Sequence, residues 1–347
     1  MKLKILTPVH IGSGDRYLAT DFVIKKDKVV FIDSMRFFEE VDKKGLDPID
    51  VAKEIGEGKK SIEDFVDPYK IKIREVPFNG RKPRREILAH IKSQGRPYIP
   101  GSSIKGAIRT ALLWKEVNDN RDLLDWTVNH IKEKIRRSKR GYLDRRDLIK
   151  LDDELEEKVF RKARLTEKRA DPKNDLLRAL RIYDSEFVNG YSIYQINFLG
   201  MGNFSVLAEC LDAGQVVEFE MNIDEFALKY LNQKLDYDYI LSATREFAEK
   251  IVEVEVNRNY PPEAKREFKN VLRARGIILR VGWGTGWYSS TIGTLLKTHR
   301  EFEGIRKKLG LGRNPNPKAK RKFSKNFPTI RRITFDKRPL GWISIYE

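Results

Sequence analysis

Residues 276–296 have the sequence GIILRVGWGTGWYSSTIGTLL, in which a β-branched run is followed by a loop with four glycines. Gly282, Gly284 and Gly286 alternate with bulkier residues, and Gly293 closes the loop region at 282–293. Glycine adopts backbone conformations that cost other residues energy, and its missing side chain lets another group approach the main chain. The pattern predicts a strand that ends in a loop whose backbone is in close contact with another molecule. A tight strand-to-helix turn without a ligand is the structural alternative.

The surrounding residues point to a phosphate backbone as the ligand of this loop. Arg280 ends the strand, and a second glycine-serine turn at 100–103 opens a predicted helix that carries Lys105 and Arg109. Exposed N–H groups at the start of a helix attract anions, and Ser102 or Ser103 can cap them. Neither segment contains a Walker A sequence or a G-x-G-x-x-G fingerprint, which argues against nucleotide hydrolysis.

The net charge of +18 is concentrated in two windows. Residues 70–96 contain nine Lys/Arg against two Glu, and residues 310–340 contain ten Lys/Arg against one Asp, so the windows contribute +7 and +9. Such concentration predicts a polyanionic partner, with solvated basic loops as the alternative. The cations singled out in these windows are Arg81, Lys82, Arg84 and Arg85, at the tip of a predicted basic hairpin, and Arg331 and Arg332.

Composition narrows the class of protein. A length of 347 residues allows two ordinary domains, and a charged fraction of 35% is compatible with a thermophilic source. The single cysteine, Cys210, excludes an internal disulfide and favours a reducing cytoplasm. The N-terminal residues do not resemble a signal peptide, and the uncharged run 187–208 contains glycines and amides that favour strands over a membrane span. We therefore expect a cytoplasmic protein that does not enter a membrane.

Strand-like and helix-like patterns alternate in two successive sets along the chain. This order predicts an α+β fold with two tandem domains, 1–190 and 191–347, and a helical insertion at about 112–175. A helix is predicted from about residue 290 to 309, after the glycine loop. The acidic run at 152–157 is interpreted as a solvated helix face with ion pairs, because consecutive helix positions point in different directions. No metal site or cofactor is predicted.

Several motifs together resemble the RAMP superfamily of CRISPR effector subunits. In chain order they are LTPVHIGSGD at 6–15, YIPGSSIKGAIRTAL at 98–112, DSEF at 184–187, RVGWGTGWYSSTIG at 280–293 and FPTIRRIT at 327–334. Their order is more specific than any one of them. The glycine-rich wording and the length are similar to the type III-A Csm subunit that caps the backbone filament at the crRNA 3′ end.

This resemblance implies ferredoxin-like (RRM-like) domains and binding of guide RNA. It implies as partners the crRNA, the repeated backbone RAMP subunit, the small helical subunit and a separate trimming nuclease. Combined with the charge pattern, it gives the predicted RNA-binding residues His10, Arg81, Lys82, Arg84, Arg85, Gly101, Ser102, Ser103, Lys105, Arg109, Arg280, Gly282, Trp283, Gly284, Thr285, Gly286, Arg331 and Arg332.

The resemblance leaves the choice between scaffold and enzyme open. Some members of the superfamily are metal-independent RNases that use an N-terminal histidine as general base, so His10 could serve guide processing in an endoribonuclease. The preferred hypothesis is a non-catalytic subunit that holds the crRNA 3′ part, ends the filament and positions RNA for another nuclease. An RNA-free adaptor that only docks protein subunits is the third possibility.

Overall fold

The computed structural model describes residues 1–81, 86–138, 143, 153–163, 165–166, 168, 171–314 and 322–347. The strands in these ranges are β1 Lys2–Ile5, β2 Gly12–Leu18, β3 Phe22–Ile24, β4 Lys28–Ile32, β5 Lys72–Asn79, β6 Glu86–His90, β7 Lys92–Ser93, β8 Arg96–Pro97, β9 Leu180–Ile182, β10 Tyr191–Leu199, β11 Ser205–Leu211, β12 Val216–Glu218, β13 Met221–Ile223, β14 Ile277–Arg280, β15 Arg331–Thr334 and β16 Trp342–Tyr346. The α-helices are α1 Ser34–Lys43, α2 Pro48–Glu57, α3 Gly101–Asp119, α4 Arg121–Arg137, α5 Asp153–Phe160, α6 Glu225–Leu231, α7 Tyr237–Val256, α8 Pro262–Val271, α9 Gly293–Leu296 and α10 Phe302–Lys308.

The smaller of the two main sheets follows from the alternation in β1. Leu3 and Ile5 are fully buried while Lys2 and Lys4 face solvent, which is the two-residue period of a strand with one wet face. β1 lies between β12 and β16, and β14 extends the sheet beyond β16, with all neighbours antiparallel. Helices α3 and α7 cover this sheet and form the main hydrophobic core with it.

The larger sheet is built around the β10–β11 hairpin. Its strand order is β2-β6-β11-β10-β5-β4-β3, and β15 pairs with β10 as well. The hairpin turn contains Gly200 and Gly202, both with positive φ, a conformation that glycine adopts with little strain. Beyond the hairpin, α1 and α2 cover the outer strands of this sheet with a small core of their own, which includes Phe37, Val41 and Val51.

The edge of β10 opposite β11 is shared by two strands. β5 pairs with it in parallel at residues 193–194, and β15 pairs with it antiparallel at residues 196–199. Gln195 lies between them. Its Oε1 accepts the backbone N–H of Arg81 at 3.0 Å, and its backbone oxygen accepts the N–H of Phe335 at 2.8 Å. The segment after β5 and the segment after β15 therefore meet at one residue.

The mixed α+β class is confirmed, but strand pairing does not follow the predicted domain boundary at residue 190. β1 pairs with β12 and β16, while β5 and β6 flank the β10–β11 hairpin, so each sheet combines strands from both sides of that boundary. Within the ranges that the structure describes, no helix has the length and apolar character needed to cross a membrane.

Two local predictions were wrong. The basic hairpin is not formed, because β10 and β11 lie between β5 and β6 and the two predicted arms never pair. The continuous helix predicted for 290–309 is divided into α9 and α10. At the break, Nδ1 of His299 accepts the backbone N–H of Glu301, which replaces a bond that a continuous helix would make.

Candidate nucleic-acid interface

The glycine loop after β14 is held against the segment that contains His10. The N–H of Trp283 donates to the backbone oxygen of His10 at 2.7 Å. Gly282 has φ +79°, and a Cβ at this position would lie 2.3 Å from the same oxygen. Gly284 is similarly confined, since a Cβ there would lie 2.7 Å from Leu340. The close approach predicted for these glycines is thus made, at least in part, by the protein's own chain.

Alanine substitutions at Gly282 and Gly286 should separate crowding from backbone strain. Both glycines have positive φ, which costs an alanine roughly 1 kcal/mol, but only Gly282 adds a clash with backbone atoms, because no atom lies within 4 Å of a Cβ at Gly286. We expect Gly282→Ala to lower the free energy of unfolding by about 3 kcal/mol or more and Gly286→Ala by about 1 kcal/mol. Urea denaturation measures both, and equal losses would contradict the assignment.

Arg332 lies between two aromatic rings beside this loop. Its guanidinium carbon is 4.9 Å from the ring centroid of Phe198 and 4.9 Å from that of Trp283. The Nε atom is buried without a hydrogen-bond partner, and burial lowers the pKa of the guanidinium, which nevertheless stays protonated. Arg332 is therefore a desolvated cation without a protein carboxylate to neutralise it among the described residues.

Arg331 repeats this arrangement one residue earlier. Its guanidinium lies 5.5 Å from the ring of Tyr260, its Nε is buried without a partner, and burial lowers its pKa, with the charge of Arg258 acting in the same direction. In the ranges that the structure describes, neither Arg331 nor Arg332 forms an ion pair. The two arginines are consecutive on a strand, so their side chains point to opposite faces of it. Each of them, left in this way, favours an external anion as its partner.

The two basic windows, residues 70–96 and 310–340, contact each other next to β15. The guanidinium of Arg81 lies 5.4 Å from the ring of Phe335, just past β15. Lys82, Arg84 and Arg85 lie outside the described residues. Phe204, at the tip of the β10–β11 hairpin, is exposed and packs edge-on against Phe198. We call the residues around β15, on both faces of the strand, the β15 surface and define it by Arg81, Phe198, Phe204, Trp283, Arg331 and Arg332.

The glycine-serine turn at 100–103 is occupied by the protein itself. The N–H of Gly101 donates to Oδ1 of Asp184 at 2.8 Å, and a Cβ on Gly101 would lie 2.6 Å from the backbone oxygen of Tyr183. Pro100 is the N-cap residue and no side chain caps the helix from that position, so capping by Ser102 or Ser103 was wrong. An acid from the DSEF motif satisfies the helix start instead.

Three side chains that were predicted to contact phosphate are bonded to other groups of the protein. Arg109 makes a bidentate pair with Asp175 at 2.9 and 3.0 Å and also pairs with Glu156. The Nζ of Lys105 donates to the backbone oxygen of Leu180 at 2.8 Å. The side chain of Arg280 is only 2% exposed, donates to the backbone oxygen of Leu340 and lies 3.5 Å from Glu255. The structure therefore gives all three side chains partners within the protein.

Sequence reasoning missed a buried polar network centred on Glu209. This residue has no exposed surface, and its carboxylate accepts from Arg74 at 2.9 Å, from the backbone N–H of His90 at 3.0 Å and from Lys92. Tyr17 bonds to both cations. The available signal was one acidic residue in the middle of the apolar strand β11, a position that buries a charge unless partners surround it. The network fixes β2, β5, β6 and β11 relative to one another.

The two neighbouring histidines belong to the same polar region. Nδ1 of His10 donates to the backbone oxygen of Glu209 at 2.6 Å. Nδ1 of His90 accepts from Ile11 at 3.2 Å, while its Nε2 donates to the backbone oxygen of Tyr98 at 3.1 Å. Burial lowers the pKa of His10 and lowers that of His90 to about 3, so both rings are neutral at pH 7.

Buried neutral histidines make stability depend on pH. Because the folded-state pKa of His90 is lowered from 6.5 to about 3, the unfolded chain binds the proton more tightly, and the contribution to stability is complete above pH 6.5 and is lost as the pH falls towards 3. Between pH 7 and 5 we expect His90 to remove about 2 kcal/mol of unfolding free energy. His90→Gln, which keeps an acceptor for Ile11, should flatten the profile. Parallel profiles for both proteins would refute this.

No group of three or more potential metal-ligating side chains occurs among the described residues. Three acids of the run at 152–157 form the ion pairs that were predicted for it: Glu156 with Arg109, Glu154 with Lys134 and Glu157 with Arg161. The site thus consists of cations, aromatic rings and backbone.

Comparisons with known proteins agree on one class. A family model described as the RAMP superfamily matches residues 2–289. The CRISPR system Cms protein Csm5 of Methanocaldococcus jannaschii is 25% identical over 99% of this chain and 88% of its own length. A chain in the cryo-EM structure of a Csm–crRNA–target RNA ternary complex of a type III-A CRISPR-Cas system is 26% identical, with TM-score 0.75 and 99% of each chain covered. The crystal structure of T. onnurineus Csm5 matches with TM-score 0.70 and 25% identity, covering 99% of this chain and 100% of that one.

Proposed function

Because this chain belongs to the RAMP superfamily and resembles Csm5 proteins over its full length, we propose that it is an RNA-binding structural subunit of a type III-A CRISPR effector complex. The ligand is the guide RNA, and the proposed binding site is the β15 surface. One of the solved structures that this chain resembles is of a complex with crRNA and target RNA, which supports this choice of ligand.

The observation that carries the proposal is the pair of unneutralised arginines on β15. Arg331 and Arg332 are each stacked on aromatic rings with Nε lacking a partner, whereas Arg109 and Arg280 are paired with acids. A phosphate oxygen supplies the missing acceptor. The exposed ring of Phe204 and the half-buried ring of Trp283 lie nearby and suit unpaired bases, which stack on aromatic side chains whatever their sequence.

The finer role that we propose is to hold the 3′ part of the crRNA, to end the filament of repeated backbone subunits and to position the RNA for a separate trimming nuclease. The small helical subunit is proposed as a further neighbour. The full-length likeness to Csm5 proteins supports this role, and the charged, aromatic surface supports holding an RNA strand without cutting it.

An endoribonuclease is the alternative, and the environment of His10 weighs against it. Its side chain is 2% exposed, its Nδ1 is used by the backbone oxygen of Glu209, and a Cβ at Gly12 would lie 3.3 Å from its Nε2. A general base must come within hydrogen-bond distance of the 2′-hydroxyl that it deprotonates. The ring would have to become accessible before it could do so.

Incubating the purified protein with labelled guide RNA in EDTA distinguishes RNA binding from RNA cleavage. We expect intact, shifted RNA, with an affinity that falls steeply as salt rises because bound phosphates release counterions. Discrete cleavage abolished by His10→Ala would support the endoribonuclease instead. No shift even at low salt would support an adaptor that contacts only proteins.

A further inference from the structure

A second group of exposed aromatic side chains lies on α6, which contributes no residue to the β15 surface. Phe226 and Tyr230 are 72% and 66% exposed, and their ring centroids are 5.4 Å apart. The opposite side of the helix is anchored in the protein, since Leu231 is buried against Ala163 and Ala179. The fold therefore does not need the two rings, which project outward from a helix already fixed on its other face.

Cations surround these rings. A cavity of about 270 Å³ lies beside them and is lined in part by Lys173, Arg178 and Arg181. Arg181 is paired with Asp224, which also caps α6. Lys173 and Arg178 are exposed and, within the ranges that the structure describes, form no ion pair; Arg178 donates only to the backbone oxygen of Lys173. The site thus offers flat apolar faces next to available positive charge.

The same surface continues to the start of α3. Arg181 and Tyr183 are alternate residues along β9 and its extension, and both are exposed on the same side. Tyr183 contacts Gly101. Only glycine fits at position 101, because a Cβ there would clash with the backbone oxygen of Tyr183. The glycine-serine turn therefore packs against this surface through its backbone. We call the group Lys173, Arg178, Arg181, Tyr183, Phe226 and Tyr230 the α6 patch.

We propose that the α6 patch binds a second segment of single-stranded RNA, with bases stacked on Phe226 and Tyr230 and phosphates held by Lys173 and Arg178. Cations interleaved with exposed rings are typical of single-strand sites. Aromatic residues and arginine are also common in protein–protein interfaces, but lysine is depleted there, so Lys173 favours RNA. A duplex fits less well, because its bases are already stacked on each other. The inference rests on the proposed function in that the protein binds RNA, but it uses no residue of the β15 surface.

Photocrosslinking tests both surfaces in one experiment. Full-length protein is irradiated with 4-thiouridine-containing single-stranded RNA longer than the roughly 4–16 nucleotides that one single-strand site covers. We expect crosslinked peptides from 226–230 and from the β15 surface. Phe226→Ala with Tyr230→Ala should remove only the first set and weaken affinity by about thirtyfold or more. Met35→Ala is the matched control, since Met35 is 75% exposed on another helix and should change neither result.

Replacing both rings with tryptophan distinguishes stacking from a folding effect. Phe226→Trp with Tyr230→Trp keeps flat faces on an exposed helix and should retain the affinity and the crosslinks. Crosslinks confined to the β15 surface, or wild-type affinity in the double alanine variant, would overturn the α6 inference and leave the proposed function intact. Absence of crosslinks at both surfaces would overturn both.

Discussion

Replacing Arg331 and Arg332 together with alanine is expected to weaken guide-RNA binding about a hundredfold, because two charge-assisted contacts worth roughly 1.5 kcal/mol each are lost. The plot of log affinity against log salt should also become less steep, by about 0.7 for each phosphate contact that disappears. Fluorescence anisotropy with labelled RNA at several salt concentrations measures both quantities. A lysine pair at these positions should recover only part of the affinity, since an ammonium cannot replace a planar, stacked guanidinium.

The matched control removes the same number of charges from the same segment. Lys337 and Arg338 follow β15 but are already paired, Lys337 with Glu263 at 2.9 Å and Arg338 with Asp336 at 3.0 Å. We expect the double alanine variant at 337 and 338 to bind RNA within about threefold of wild type and to reduce the salt slope little, since paired surface charges contribute modestly. Equal losses in the two variants would mean that net charge alone drives binding, and would remove the special role of β15.

Glu209→Ala is expected to lower the free energy of unfolding by about 3–5 kcal/mol. The substitution leaves Arg74 and Lys92 facing each other across a buried site without the carboxylate that both contact. It also removes the acceptor for the N–H of His90 and opens a cavity between strands. Urea denaturation followed by tryptophan fluorescence measures the loss. Glu209→Gln, which keeps an acceptor but not the charge, should fall between wild type and alanine.

An exposed ion pair on the same sheet provides the comparison. Glu86 pairs with Arg16 at 2.7 Å, and both side chains are at least half exposed. Glu86→Ala should change stability by no more than about 1 kcal/mol, because solvent screens such pairs. A loss at Glu209 as small as that at Glu86 would show that the buried network relaxes or admits water.

The sequence identified the right chemical groups more reliably than their partners. Counting charges located the segments that contain Arg81 and Arg331, but their meeting at Gln195 depends on two strands sharing one edge of β10, which residue periodicity does not encode. Side-chain alternation likewise specifies a strand without specifying its neighbours. That is why β5 and β6 were expected to pair and instead flank another hairpin.

The internal partners of two predicted RNA-binding cations could not be read from the sequence. Arg109 and Arg280 lie beside glycine motifs, which made phosphate contacts plausible, yet acids far away in sequence reach both of them in the fold. Conversely, Glu209 gave little signal because its partners come from three other strands or turns. A paired and an unpaired arginine are identical in sequence, and only tertiary contacts distinguish them.

The position of β1 between β12 and β16 has a consequence for biogenesis. Residues 2–5 are synthesised well before both of their partners, because one neighbour of β1 arrives at residues 216–218 and the other only at 342–346. At translation speeds of about 5–20 residues per second, the nascent chain carries an unpaired strand with one apolar face for many seconds. Exposed strand edges invite association with other chains. We therefore expect β1 to need protection by chaperones until β16 has been made.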